Sequence, residues 1–304
     1  MVSVMADDDS RRAHFMSNAD ASHGISHRLA AEVDVDGVTG MRSPRPTVSL
    51  VIPVRNEARN IAWVLEQIAG DVDEIILVDG DSTDATLITA RSCRPDVKVV
   101  QQDGVGKGSA LRTGFLAASQ DIIVMMDADG SMAPQEIGHF VHFLSHGYDF
   151  VKGSRFIAGG GSMDITRIRR LGNRFLLGVF NTLYGADLTD LCYGFCAFHR
   201  RYLDHLALSA TGFEIEAEMT VHALHSGLRI AEVPSFEMGR RAGESNLRAV
   251  RDGVRVLKTV LGNHRAGFSG RLFQAVAQHH PHPPAVFPVR HPNRSLLSGM
   301  GPST

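Results

Sequence analysis

From Thr47 onward, short apolar runs alternate with stretches whose apolar residues recur at helical spacing. Thr47 to Ile52, Glu74 to Val78, Val97 to Val100 and the run Ile122-Ile123-Val124-Met125-Met126 have the length and branched content of buried strands. Pro53 is expected to stop the first of them. Between these runs, Asn60 is placed to cap a helix through Ala69 that carries Ile61, Val64, Leu65 and Ile68 on one face. The turn Asp79 to Asp84 opens a second helix, and the glycine-rich loop Gly104 to Gly108 leads into a third over Ser109 to Ala118. This order predicts a mostly parallel, doubly wound α/β sheet.

The pattern beyond residue 131 is more mixed. Pro134 starts a helix with Ile137, Phe140, Val141 and Leu144 on one face, and Phe150-Val151-Lys152 reads as a short strand. Leu171 to Tyr184 is a very apolar helix, Glu214 to His225 another, Leu228 to Val233 a strand, and Asn246 to Leu261 the final helix. In that last helix Leu247, Val250, Val254, Leu257 and Leu261 share a face, beside a stripe of Arg248, Arg251, Arg255 and Lys258. Such a helix either packs on the domain with its arginines solvated or lies on an anionic membrane surface. Residues 1–45 are polar and without period, and read as a disordered lead. Residues 263–304, with six prolines from Pro281 on, read as a disordered Pro/His-rich tail. One domain over residues 46–262 remains.

Composition narrows the function. The 304 residues are 43% hydrophobic and 21% charged, with a net charge of −2, so no overall field draws nucleic acid. Three cysteines make no disulfide framework, and a cytoplasmic setting is expected. No apolar run reaches the roughly 18 residues of a membrane span, and the N-terminus around Asp7-Asp8-Asp9 does not read as a secretory signal.

The chemistry concentrates at strand ends. Asp127-Ala128-Asp129 follows the fourth strand, where open α/β sheets bind ligands. An Asp-x-Asp pair there can hold a divalent cation through oxygen and leave positions for substrate phosphates; the alternative is a pair of helix caps. Pro53-Val54-Arg55-Asn56-Glu57 follows the first strand, and Asp79 and Asp81 the second. These carboxylates suit ribose hydroxyls and base N–H groups, or simple turn chemistry. Lys107, in Gly106-Lys107-Gly108, can meet a phosphate as a point charge, although the loop is not a Walker motif.

Taken together these motifs resemble the family 2 glycosyltransferases of GT-A fold, and within them the dolichol- and polyprenyl-phosphate mannosyl- or glucosyltransferases. The resemblance runs from Thr47 to Gly262. Beyond the motifs above it rests on Gly153-Ser154-Arg155, Thr189-Asp190 with Gly194-Phe195, Phe213-Glu214-Ile215-Glu216, and Arg240 with Gly243-Glu244-Ser245-Asn246. It implies a Rossmann-like central sheet, with a nucleotide-sugar half over 46–131 and an acceptor half over 132–262. It implies a metal-dependent, inverting hexosyltransferase moving a sugar from a GDP-mannose or UDP-glucose type of donor to a polyprenyl or dolichyl phosphate.

In that reading Pro53, Asn56, Glu57, Asp79, Asp81, Lys107, Asp127 and Ala128 bind the donor. Asp127, Asp129 and Ser131 hold Mg²⁺ or Mn²⁺. Arg155, Arg169, Asn173 and Glu216 meet the acceptor, and Asp129, Asp190, Arg155 and Arg240 act in catalysis. Asp190 is the candidate base for an alcohol acceptor, whereas a phosphate acceptor is already anionic. Peripheral membrane contact through Asn246 to Leu261, a membrane partner subunit and a homo-oligomer are the partners it suggests. Asp-Gly-Asp-Ser at residues 79–82, Arg55, Asn246 and Leu191-Cys192-Tyr193 depart from the family pattern and leave room for a soluble sugar or small-metabolite acceptor. A non-catalytic nucleotide-sugar-binding subunit and a nucleotidyltransferase are the remaining alternatives.

Overall fold

The computed structural model describes residues 45–243 and 247–274, with side chains to His264. In chain order the elements are β1 (Val48–Val54), α1 (Ile61–Glu66), β2 (Glu74–Asp79), α2 (Thr86–Cys93), β3 (Lys98–Gln101), α3 (Lys107–Ala117), β4 (Ile122–Met125), α4 (Ile137–Ser145), β5 (Phe150–Ser154), β6 (Gly161–Ser162), α5 (Arg167–Tyr184), β7 (Cys196–His199), α6 (Leu203–Leu206), α7 (Ile215–His225), β8 (Ile230–Pro234), β9 (Phe236–Glu237) and α8 (Ala249–Gln274).

Seven strands form the central sheet in the order β3-β2-β1-β4-β7-β5-β8, and β6 pairs with β9 in a second, two-stranded sheet. β1 lies parallel between β2 and β4, with Leu50 opposite Ile75 on one side and Val124 on the other. Alternate residues feed two cores, as expected of strands covered on both faces. Val51, Ile76, Val78, Ile123 and Met125 pack with Phe115, Phe180, Ile215, Met219 and Val260. Leu50, Ile52, Leu77, Ile122 and Val124 pack with Ile61, Leu65, Ile137, Phe140 and Leu144. α3 lies so close to the sheet that a Cβ on Gly114 would fall 2.3 Å from Val51 Cγ1.

The outward reading along β2 and β3 reverses between β1 and β4. Their carboxyl ends, Pro53 to Glu57 and Asp127 to Asp129, therefore flank a topological switch point, where a crevice opens for a ligand. β7 is the strand that runs antiparallel, pairing with both β4 and β5.

Several boundaries differ from the sequence expectation. Pro53 lies inside β1 because the ladder to β4 ends at Val51, so only β2 remains beside it. Asn60 makes no side-chain cap; its amide is used elsewhere, as shown below. α5 begins at Arg167, capped by the Thr166 side chain, because an arginine-rich first turn carries no apolar period. α8 continues past residue 262 to Gln274: glycine weakens a helix without stopping it, and the first proline beyond is Pro281. The lead before residue 45, the tail beyond Gln274, and Glu244, Ser245 and Asn246 lie outside the described residues.

Candidate active site

A cleft of about 610 Å³ opens at the switch point. Its floor carries three cations, each bonded to two carboxylates. Lys107, at the start of α3, places Nζ 2.7 Å from Asp127 Oδ1 and 3.0 Å from Glu216 Oε1 on α7. Burial disfavours its ammonium, but Asp127 and Glu216 outweigh that and raise its pKa above the ordinary lysine range. Gly194 makes room for the cluster, since a Cβ there would fall 2.8 Å from Lys107 Nζ. Arg240 places Nη2 2.8 Å from Asp129 Oδ2 and Nη1 3.4 Å from Glu57 Oε1. Burial is the main cause that pushes the Glu57 carboxyl above its usual range. Arg155, following β5, donates to both oxygens of Asp190 at 2.7 and 3.0 Å and to Glu237 of β9 at 3.2 Å. Asp190 and Glu237 overcome the burial of Arg155 and raise its pKa.

The glycines of the Lys107 loop are dictated by packing. Gly106 has φ +101°, and a Cβ on it would fall 2.3 Å from the carbonyl oxygen of Thr211. Gly106→Ala is expected to destabilise the protein by about 1–3 kcal/mol, measured by urea unfolding, because both the conformation and the contact resist a side chain.

Not every expected site residue reaches the cleft. Pro53, Glu57, Lys107, Asp127, Ala128, Asp129, Ser131, Arg155, Arg169, Asn173, Glu216 and Arg240 line it. Asn56, Asp79 and Asp81 instead hold turns: Asn56 Oδ1 accepts from Thr83 N at 2.8 Å, Asp79 accepts from Ser82 N at 3.2 Å, and Asp81 accepts from the Gln101 amide at 2.7 Å. Arg55, Gly80 and Gln102 line that wall in their place. Nothing in the sequence marked Gln102, which reaches the cleft because β3 lies beside β2. Asn173, on α5, accepts from Cys192 N at 3.2 Å. Arg169 lines the cleft and Arg170 does not; Arg169 pairs with Asp164 at 3.1 Å.

The base role expected of Asp190 is not met by its surroundings. Asp190 is fully buried, both its oxygens bond Arg155, and its own backbone N–H is held by Glu232 at 3.0 Å. It anchors Arg155 and does not face the cleft. Cys192 does line the cleft, but burial pushes its thiol up to about 12, which leaves no thiolate nucleophile at neutral pH.

The residues present fit a hard divalent cation. Among the described residues no group of three or more His, Cys, Asp or Glu encloses a metal. Asp127 and Asp129 instead present carboxylates from one turn beside Ser131, whose N–H donates to Asp129 Oδ1 at 2.9 Å. Oxygen donors so arranged suit Mg²⁺ or Mn²⁺ completed by substrate phosphates.

The family model of glycosyl transferase family 2 matches residues 49–207. The chain belongs to this family. It is 34% identical over 215 residues to glycosyltransferase AglJ of Haloferax volcanii, covering 69% of this chain and 70% of that one. It is 29% identical over 253 residues to the polyprenol monophosphomannose synthase of Mycolicibacterium smegmatis, covering 76% and 91%. It is 32% identical over 211 residues to a dolichol-phosphate mannosyltransferase of Pyrococcus furiosus, covering 66% of this chain and 59% of that one. Among solved structures, glucosyl-3-phosphoglycerate synthase from Mycobacterium tuberculosis, crystallised with Mn²⁺, UDP and its glucosylated product, is similar. Its TM-score is 0.58 at 26% identity, over 72% of this chain and 80% of that one. This family 2 glycosyltransferase is a hexosyltransferase of GT-A fold, with a mainly parallel sheet and its cleft at the sheet's switch point.

Proposed function

We propose that this glycosyltransferase moves a hexose from a nucleoside-diphosphate sugar to a polyprenyl or dolichyl phosphate, with Mg²⁺ or Mn²⁺ held at Asp127 and Asp129. The carrying observation is the cleft's second end, where apolar side chains meet arginines. Ile168 and Phe175 of α5 and Val250 and Val254 of α8 line the cleft there and are all exposed. Leu171 is 71% exposed beside them. Isolated exposed apolar residues are ordinary, but a cluster on two helices at a cleft mouth suits an apolar partner. Arg167, Arg170 and Arg174 of α5, with Arg248 and Arg251 at the start of α8, are exposed, and basic residues on such helices suit anionic lipid. Among the described residues no helix is long and apolar enough to cross a membrane.

The proposed roles use the residues that line the cleft. Pro53, Glu57, Arg55 and Gln102 wall the donor end, and Lys107 neutralises charge at Asp127. When bound, the divalent cation neutralises charge on the departing diphosphate. Arg240 and Arg169, which line the cleft, hold the acceptor phosphate, and Arg155, locked between Asp190 and Glu237, lines it too. A phosphate oxygen anion then attacks the anomeric carbon without a base, consistent with the buried Asp190.

Labelled GDP- and UDP-sugars, Mn²⁺ and polyprenyl phosphate should yield label in the organic phase. Label confined to a water-soluble product, with a phosphorylated small metabolite as acceptor, would select that alternative instead. Phe175→Asp and Val254→Asp are expected to weaken flotation with phosphatidylglycerol vesicles on the order of tenfold, since each places a charge in an apolar contact. Transfer to a short-chain, water-soluble acceptor analogue should be unchanged. Equal loss with both acceptors would contradict a lipid-facing role.

A further inference from the structure

The segment Met238 to Ala242 crosses the turn Asp129-Gly130-Ser131 as a strap. Met238 N donates to Ser131 O at 2.8 Å, and Arg241 N donates to Asp129 O at 3.2 Å. The strap is also held from α1, on the far side of the turn. The Arg241 guanidinium lies 4.6 Å over the ring of Trp63. Asn60 Nδ2 donates to Ala242 O at 3.1 Å and to Glu57 Oε2 at 2.6 Å. Gly130, with φ +78°, makes the crossing close: a Cβ there would lie 3.1 Å from Arg241 Cδ and 3.2 Å from Trp63 Cζ3.

Neither Trp63, Asn60 nor Arg241 lines the cleft. Between the anchored points sits Arg240, which does line it and bridges Asp129 to Glu57. A guanidinium on a long side chain reaches two carboxylates only when its backbone is fixed, because its many rotamers otherwise compete. The helical pattern assigned Asn60 to a cap it does not make, and nothing in the sequence marked Trp63.

We propose that Trp63 and Asn60 are positioning residues. Together they pin the strap at Arg241 and Ala242 and thereby hold Arg240 at the acceptor end of the cleft. The effect on transfer rests on the assignment of Arg240 to the acceptor phosphate; the pinning itself does not. Glu57 ties the two halves together, since one oxygen bonds Arg240 and the other Asn60.

Amide hydrogen exchange on the full chain tests the pinning directly. Trp63→Leu and Arg241→Gln should each speed exchange in the peptide spanning residues 238–242, while peptides of β1 and β4 keep wild-type protection. Trp63→Phe, which keeps a ring face, should restore protection. Unchanged exchange in the strap, or faster exchange spread evenly over β1 and β4, overturns the proposal. Kinetics supply the second readout. Trp63→Leu should raise KM for the phosphate acceptor about tenfold and by more than it raises donor KM, because misplacing a positioned group costs about that much or more. Trp63→Leu/Arg241→Gln should be no worse than either single variant, as for two halves of one contact. Loss in kcat alone, or additive losses, overturns it. Arg240→Gln separates the two claims: if that variant transfers sugar as well as the wild type, the acceptor role of Arg240 is wrong, and hydrogen exchange still decides whether the strap is pinned. Trp63 is the chain's only tryptophan, so its emission should also change in Arg241→Gln; identical spectra contradict the stack.

Discussion

Asp129→Ala is expected to lower kcat/KM on the order of 10³-fold, the loss that can follow removal of one preorganised electrostatic group from an enzyme active site. Two consequences coincide at this side chain. One oxygen of the proposed metal pair disappears, and Arg240 loses its 2.8 Å partner and keeps only Glu57 at 3.4 Å. The fold should tolerate the change, because Arg241 N bonds the Asp129 main-chain oxygen, which alanine retains. Mn²⁺ titration in the presence of UDP or GDP should show heat with the wild type and none with the variant, while far-UV circular dichroism stays the same. Turnover within tenfold of wild type would remove Asp129 from the chemistry. Asp127→Ala should behave similarly and for a related reason: Lys107 remains paired to Glu216 at 3.0 Å, so its burial survives while the cation site does not. Chelation of divalent ions should stop transfer by the wild type, and added Mn²⁺ should restore it.

The stretch from β1 to β4 was legible because its strands are uniform apolar runs and its helices keep one apolar face. β1, β2 and β4 fall within a residue or two of where those runs lie. The stretch beyond β4 was not legible to the same degree. β7 was missed because Cys196 to His199 is short, contains no branched residue, and follows Gly194, so it has neither the length nor the composition of a strand. Its partners β4 and β5 on either side hold it in place. The pair β6 and β9 was invisible for a similar reason, yet β9 brings Glu237 to Arg155.

α8 shows a different failure. The face Leu247, Val250, Val254, Leu257 and Leu261 offered two readings, packing on the domain or contact with a membrane surface, and only the first would bury it. Instead the side carrying Asp252, Val256 and Val260 is buried, and Val250 is 76% exposed. Leucine and valine were weighted by hydrophobicity, whereas the domain selected the stripe that fits against α5 and α7. An aspartate on a buried stripe defeats any amphipathic reading; it is accommodated because Asp252 accepts from Arg248 N at 2.7 Å. The site shows the same division. The carboxylates expected at strand ends divide between the cleft wall and the turns behind it. Glu57, Asp127 and Asp129 face the cleft, while Asp79 and Asp190 are committed to hydrogen bonds that only the folded neighbourhood supplies.

Asp190→Ala should be the most destabilising change in the acceptor half, costing about 3–5 kcal/mol, the range for removing one member of a buried ion pair. Arg155 is 5% exposed and cannot turn to water. In the wild type, Asp190 accepts from its Nε, Nη2 and backbone N, and Glu237 takes Nη1. Without Asp190, Glu237 is the remaining carboxylate partner of the guanidinium, and the Tyr193 ring 4.7 Å away offers only a weaker face. Urea unfolding followed by Trp63 emission would give the size of the loss. Asp190→Asn should fall between wild type and alanine, because an amide oxygen can still accept one bond but carries no charge. This ordering separates an anchor from a base. A base predicts that Asp190→Asn keeps full stability and loses kcat with an alcohol acceptor alone. An anchor predicts that stability and transfer to a phosphate acceptor fall together, because Arg155 moves. A stable, phosphate-active Asp190→Asn would return the residue to the role that its place in the motif first suggested.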